Sequence, residues 1–145
     1  MPKEKTFTAT NLLLALTIML FIFSLAVVFT LNFRPLYYYD IDNLSIVKYS
    51  GLSIEEIRTN YNALIDYNSI FYTGQLQFPT LPMSETGRIH FEEVKNIFVA
   101  VQVLLIVTFV GSVTGCVLKL RRKKVAFFKL AAILTVAVPA VLGLL

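Results

Sequence analysis

An all-α membrane protein is the fold class that this sequence predicts, and three observations predict it. The chain is 57% hydrophobic and only 15% charged, a balance that a soluble domain of this length rarely carries. Residues 12–33 and 96–118 hold no charge, and each run satisfies the roughly 20 apolar residues a helix needs to cross a hydrocarbon core about 30 Å thick. A third run, 125–145, holds one charge, Lys129. That charge lies close enough to the start for its ammonium to snorkel back to the interface. Three transmembrane helices are therefore expected, about 12–33, 96–118 and 125–145. They form a single membrane domain over 1–145, with 34–95 as an outward-facing segment that contains an amphipathic interfacial helix.

The first run is longer than the 7–15 apolar residues of a secretory leader, and no A-x-A-like cleavage site follows it. It reads as an uncleaved anchor. Orientation follows from lysine and arginine. Lys3 and Lys5 precede the first span, and Lys119, Arg121, Arg122, Lys123, Lys124 and Lys129 cluster between the second and third. The segment 34–95 is acidic instead, with Asp40, Asp42, Glu55, Glu56, Asp66, Glu85, Glu92 and Glu93. The N-terminus and basic loop are expected in the cytoplasm, and 34–95 outside. This topology already accounts for the net charge of +4, so nucleic acid is not an expected partner. The single cysteine, Cys116, excludes an internal disulfide and suits helix packing.

Between the spans the chain punctuates itself. Proline disfavours helix in the residue before it, so Arg34-Pro35 closes the first helix. Phe33, Tyr37, Tyr38 and Tyr39 match an interfacial aromatic belt. Asp40 to Ser50 reads as irregular or short extended chain. Ser53 with Glu56 forms a capping-box pattern, and Ile54, Ile57, Tyr61, Leu64 and Ile65 recur at helical spacing. A helix over about 53–69 follows. A segment this small buries little core alone, so its apolar stripe is expected on the bilayer surface or the tops of the spans. Gly74 to Pro82 is loop. Ser84 caps a new helix that runs unbroken into the second span. There, Gly111-Ser112-Val113-Thr114-Gly115 is a small-x-x-x-small pattern that permits close helix packing, including self-association. Pro139 predicts a kink or break in the third span.

Chemistry concentrates at one side chain. His90 is the only histidine and stands at the mouth of the second span. An imidazole there accepts a proton near neutral pH, and Glu93, one helical turn on, is placed to orient it. Arg88 and Lys95 flank it and suit a phosphate or an oxyanion. General-base work on a lipid-borne substrate fits this group. An interfacial histidine that merely tolerates both phases fits as well. Glu92-Glu93 read as solvated charges near a helix start, where the helix dipole favours them. No zinc-protease, nucleophile-elbow or phosphate-loop pattern is present, one histidine and one buried cysteine make no ordinary zinc site, and no cofactor or metal is expected.

The outward segment resembles the family of bacterial integral membrane proteins that includes the lipoprotein intramolecular transacylases (Lit). The resemblance rests on Gly51-Leu52-Ser53, on Asn60-Tyr61-Asn62-Ala63-Leu64-Ile65-Asp66-Tyr67, and on the pattern F-P-x-L-P-x-S-x-x-G-x-x-H-F-x-x-V-K-x-I-F across residues 78–98. It implies a multi-pass protein of the bacterial cytoplasmic membrane acting on a diacylated lipoprotein within the lipid bilayer. The implied reaction moves an acyl chain from the glycerol sn-2 oxygen to the amine of the N-terminal cysteine, giving a lyso-form lipoprotein. It makes His90 the catalytic base, with Tyr61, Ser84, Arg88, Glu93 and Lys95 as substrate or oxyanion support. The family's second histidine and fourth span would follow the third span; this chain's residues end at Leu145 and include one histidine. The alternative is a non-enzymatic membrane protein, an accessory or partner-binding subunit acting through its acidic outer segment and its Gly111/Gly115 face. A pore former is disfavoured because no charges line any span.

Overall fold

A computed structural model describes residues 7–143. Among the described residues every regular element is helical: α1 (Ala9–Asn32), α2 (Arg34–Asn43), α3 (Ile46–Ser50), α4 (Ile54–Tyr67), α5 (Glu85–Arg121) and α6 (Ala126–Leu142). Of these, α1 and α5 are long and apolar enough to cross a membrane, and α6 is a shorter apolar helix. Residues 7–26 with 103–143 form one compact unit, and residues 27–102 form the other.

In the first unit, apolar helices lie against one another through residues of mixed size, from Ala15 to Phe127, both fully buried. A hydrophobic cluster of Ala15, Leu130 and Ala131 joins α1 to α6, with Ile18 and Leu134 packed around it. Phe21 meets Phe109 at 5.6 Å between ring centroids. The Gly111/Gly115 pattern is used inside the chain. A methyl group placed on Gly111 would meet Thr17 Cγ2 at 3.2 Å, and one on Gly115 would meet Leu14 Cδ1 at 2.5 Å. Gly111 and Gly115 therefore lie beside α1 of the same chain. Small residues there let two backbones approach, which in lipid replaces the missing hydrophobic drive with van der Waals contact.

Polar side chains within these helices turn back on their own backbone. Thr17 donates to Leu13 O at 2.9 Å, Ser24 to Leu20 O at 2.7 Å, Thr108 to Leu104 O at 2.7 Å and Thr135 to Ala131 O at 2.8 Å. Without water, the preceding turn's carbonyl is the available acceptor.

The α5–α6 turn is a helix-closing motif built without glycine. Lys123 sits in the left-handed region at φ 54°. Its N–H reaches Leu120 O at 2.8 Å, and the N–H of Lys124 reaches Lys119 O at 3.0 Å. These are the paired bonds of a Schellman ending. Of the third expected span, 125–145, the described residues hold the 17-residue α6. At about 1.5 Å per residue it reaches roughly 26 Å, short of a full hydrocarbon core. Residues 144–145, and Lys3 and Lys5 of the orientation argument, lie outside the described residues. Pro139 does not break α6, which continues to Leu142 and closes with Gly143 N–H to Pro139 O at 2.8 Å.

The second unit corrects two expectations. Asp40 to Ser50 is helical, not irregular, interrupted only where Ser45 adopts φ 53°. Pro35 ends α1 as expected, but it also stands in the first turn of α2, where its fixed φ favours helix and its missing N–H costs nothing. Part of the apolar stripe of α4 is buried by the chain itself: Ile57 and Ile65 are buried, together with Ile41 of α2, Tyr67 and Leu76, while Ile54 stays exposed. The first turns of α5 belong to this unit and add surface that 34–84 lacks. Part of the expected aromatic belt is internal packing as well. Tyr37 stacks on Tyr61 at 3.9 Å, and the Tyr38 hydroxyl donates to Asn62 Oδ1 at 2.7 Å.

Local signals held well. Helix α4 runs from Ile54 to Tyr67, slightly inside the expected 53–69. Its capping box is closed in both directions: Ser53 N–H to Glu56 Oε2 at 2.9 Å and Glu56 N–H to Ser53 Oγ at 3.2 Å. Ser84 accepts from Gly87 N–H at 3.1 Å and opens α5. That helix then runs unbroken for 37 residues.

Two outcomes follow. Gly115→Val should destabilise the chain by about 1–3 kcal/mol through overpacking, read as a lowered midpoint in detergent unfolding, while Val113→Ile on the exposed neighbouring face should change little. The Ser53 backbone N–H, then its hydroxyl, holds the Glu56 carboxyl below the usual carboxylate range. A depressed group contributes stability above its unfolded value of about 4.3 and loses it as pH falls through the folded value. Amide exchange in the first turn of α4 should therefore accelerate below that pH, and Glu56→Gln should flatten the dependence.

Candidate functional site

The first three turns of α5 have two faces with different duties. Arg88, Glu92 and Lys95 recur at intervals of four and three and so lie on one side. That side is engaged with protein. Arg88 Nε bonds Glu85 Oε2 at 3.0 Å, a second guanidinium nitrogen pairs with Glu85 Oε1, and Glu92 Oε2 stands 3.8 Å from Nη1. The hydrogen bond from Arg88 holds the Glu85 carboxyl below its ordinary range, and the same bond raises Arg88 further. Lys95 Nζ donates to Tyr72 O at 3.0 Å and lies 4.3 Å from the Tyr67 ring centroid and 5.0 Å from that of Tyr72. Tyr67 is buried, and burial, reinforced by the nearby Glu92 carboxylate, pushes its phenol up.

His90 and Glu93 fall on the other face, one turn apart, and both are exposed. The imidazole forms no hydrogen bond or ion pair among the described residues. Its ring neighbour is Phe91 at 5.6 Å, and Phe91 in turn takes the edge of Phe78 at 5.6 Å. Phe78 also helps line a cavity of about 240 Å³ with Tyr37, Ile57, Asn60, Tyr61 and Leu81. Burial pushes the Tyr61 phenol up, so it stays a neutral donor at any ordinary pH.

The sequence-derived candidates therefore separate. His90 and Glu93 share a face. Arg88 and Lys95, expected beside the imidazole, are committed elsewhere: Arg88 to two carboxylates and Lys95 to an aromatic box. Ser84 is occupied as the cap of α5. Tyr61 lines the neighbouring cavity.

Two side chains that shape this region escaped the sequence reading. Asn60 Nδ2 donates to Thr80 Oγ1 at 2.5 Å and to Glu56 O at 2.7 Å, while its Oδ1 accepts from Thr80 N–H at 3.3 Å. It ties the 74–82 loop to α4. Gln102 accepts from Ile70 N–H at 3.0 Å and donates to Asn68 O at 2.7 Å, tying the exit of α4 to α5. A glutamine inside an uncharged run was a legible signal, since a polar group there needs a partner. The asparagine carried none, because at its spacing it passes for a solvated helix position.

If Lys95 locks the chain after α4, Lys95→Met should remove about 1–2 kcal/mol of local stability. The amides of residues 70–75 should then exchange faster, while those in the middle of α4 keep their protection.

The model of the lipoprotein intramolecular transacylase Lit family matches residues 12–145. Among solved structures, the chain is similar to the membrane-integral lipoprotein intramolecular transacylase Lit from Bacillus cereus, at 39% identity and a TM-score of 0.89, covering 93% of this chain and 63% of that one. Two structures of that protein with one histidine replaced, by arginine or by alanine, match at 38% identity and TM-scores of 0.88, each covering 93% of this chain and 60% and 61% of theirs. The chain thus spans about three-fifths of the length of these relatives. No curated protein matches it.

Proposed function

The chain belongs to the lipoprotein intramolecular transacylase Lit family, and from that membership we propose that it takes part in acyl transfer within a bacterial lipoprotein. The substrate is a diacylated lipoprotein in the membrane. The N-terminal cysteine amine attacks the sn-2 ester carbonyl, a carbon–nitrogen bond forms, and the carbon–oxygen bond to glycerol breaks. The amine proton passes to the departing glycerol oxygen, and the product is an N-acylated lyso form.

In this reading His90 takes the amine proton and returns it to the glycerol oxygen. What supports it is a sole imidazole that is exposed and unencumbered, on a face bearing Glu93 and no cation engaged in packing. Glu93 stabilises the imidazolium while it carries the proton. Tyr61 is the donor for the tetrahedral oxyanion, since Arg88, Lys95 and Ser84 already hold other partners.

The proposed topology has three spans, α1, the apolar part of α5, and α6, within one membrane domain. The N-terminus and the 119–124 loop lie in the cytoplasm. Residues 34–95 lie outside, with the amphipathic α4 near the interface. The excess of lysine and arginine in the 119–124 loop supports this orientation, as do the apolar rings of Tyr49 and Phe71, 82% and 88% exposed, which suit a lipid surface.

The observation that carries the proposal is the family match over residues 12–145. The test is mass spectrometry of lipoprotein N-termini from cells expressing the chain. N-acylated lyso forms are expected, and His90→Ala should reduce their formation by at least about 10²-fold. Lipoproteins that stay diacylated on expression of the intact chain would overturn it.

A further inference from the structure

A cavity of about 440 Å³ lies in the first unit, within the roughly 300–1,000 Å³ of small-molecule sites. Its walls are apolar: Leu13, the methyl-bearing flank of Thr17, the bare backbone at Gly111 and Leu118. Its rim is cationic: Lys119, Arg122 and Lys124. The described residues of this unit, 7–26 and 103–143, contain no aspartate or glutamate. Lys119 Nζ is held by Thr10 Oγ1 at 2.9 Å and Asn11 Oδ1 at 2.6 Å. Both acceptors are neutral, and the ammonium lies half-buried at the edge of an apolar space. Arg122 and Lys124 are exposed beside it.

From this juxtaposition we infer that the cavity is a binding site for an anionic phospholipid, taking an acyl chain along Leu13 and Leu118 and the phosphate at Lys119, Arg122 and Lys124. Cations with no acid among the described residues of their unit are open to a counterion from outside the protein. A guanidinium holds two phosphate oxygens at once, and an ammonium holds one as a point charge. Apolar walls next to that rim exclude a bare inorganic anion as the preferred occupant and suit a lipid, whose two parts match the two parts of the site. The inference is separate from the chemistry at His90.

The test is native mass spectrometry of the purified chain in detergent, with phosphatidylglycerol or phosphatidylcholine of identical acyl chains. Phosphatidylglycerol is expected to be retained selectively. Arg122→Gln with Lys124→Gln should weaken it by about fivefold per charge. Arg121→Gln with Lys123→Gln removes the same charge from the same loop but not from the cavity rim, and should leave retention nearly unchanged. Leu13→Trp, at a largely exposed wall position, should fill the acyl slot and lower retention with every cation in place. Equal effects of the two double substitutions would reduce the site to a diffuse basic surface and overturn the proposal. So would equal retention of the two lipids, or competition by glycerol phosphate as strong as by the intact lipid.

Discussion

A peptide group in hydrocarbon has no water to bond, and most of this architecture follows from that. Each unpaired N–H or C=O there costs several kcal/mol, so the apolar runs become helices. The same shortage reaches the side chains: Thr17, Ser24, Thr108 and Thr135 each bond a carbonyl four residues back. With these four hydroxyls bonded to their own helices, helix association rests largely on shape. That explains why Gly115 sits where a single methyl would press into Leu14, and why Ala15 and Ala131 are in the cluster joining α1 and α6.

The start of α5 carries two sets of ionisable side chains on opposite faces. Arg88, Glu92 and Lys95 spend their charges on carboxylates, rings and a carbonyl, and so fix the unit of residues 27–102. His90 and Glu93, offset by part of a turn, are left without protein partners. An imidazole bound into such a network would have its tautomer and charge dictated by its neighbours. One outside it stays available for a substrate. Phe91 lies beside it, and Phe78 packs edge-on against Phe91.

Charge distribution follows the same economy. Cations of the 119–124 loop have no acidic partners among the described residues of their unit, whereas in residues 27–102 Arg34 pairs with Asp66 and Arg88 with Glu85. Paired charges stabilise a fold modestly. The cations of the 119–124 loop instead stay exposed or half-buried without an acidic partner in their unit.

The amino-acid order by itself determined the features that depend on local physics. Long uncharged runs made helices α1, α5 and α6 legible, Ser53 with Glu56 announced the start of α4, Ser84 announced the start of α5, and the F-P-x-L-P pattern with His90 announced the family. These were readable because burial in lipid and capping act within a turn or within one continuous run. Tertiary structure decided what local rules leave open. Pro35 could end one helix or begin the next, and it does both. Lys123 took a left-handed position usually left to glycine because the Schellman bonds to Lys119 and Leu120 are there to hold it. Ile57 and Ile65 of α4 were buried in part because α2 packs against that helix. Arg88 and Lys95 lie within five residues of the imidazole in sequence, yet they turn away from it, because helical geometry and the partners Glu85, Glu92, Tyr67 and Tyr72 fix side-chain direction more firmly than sequence proximity does.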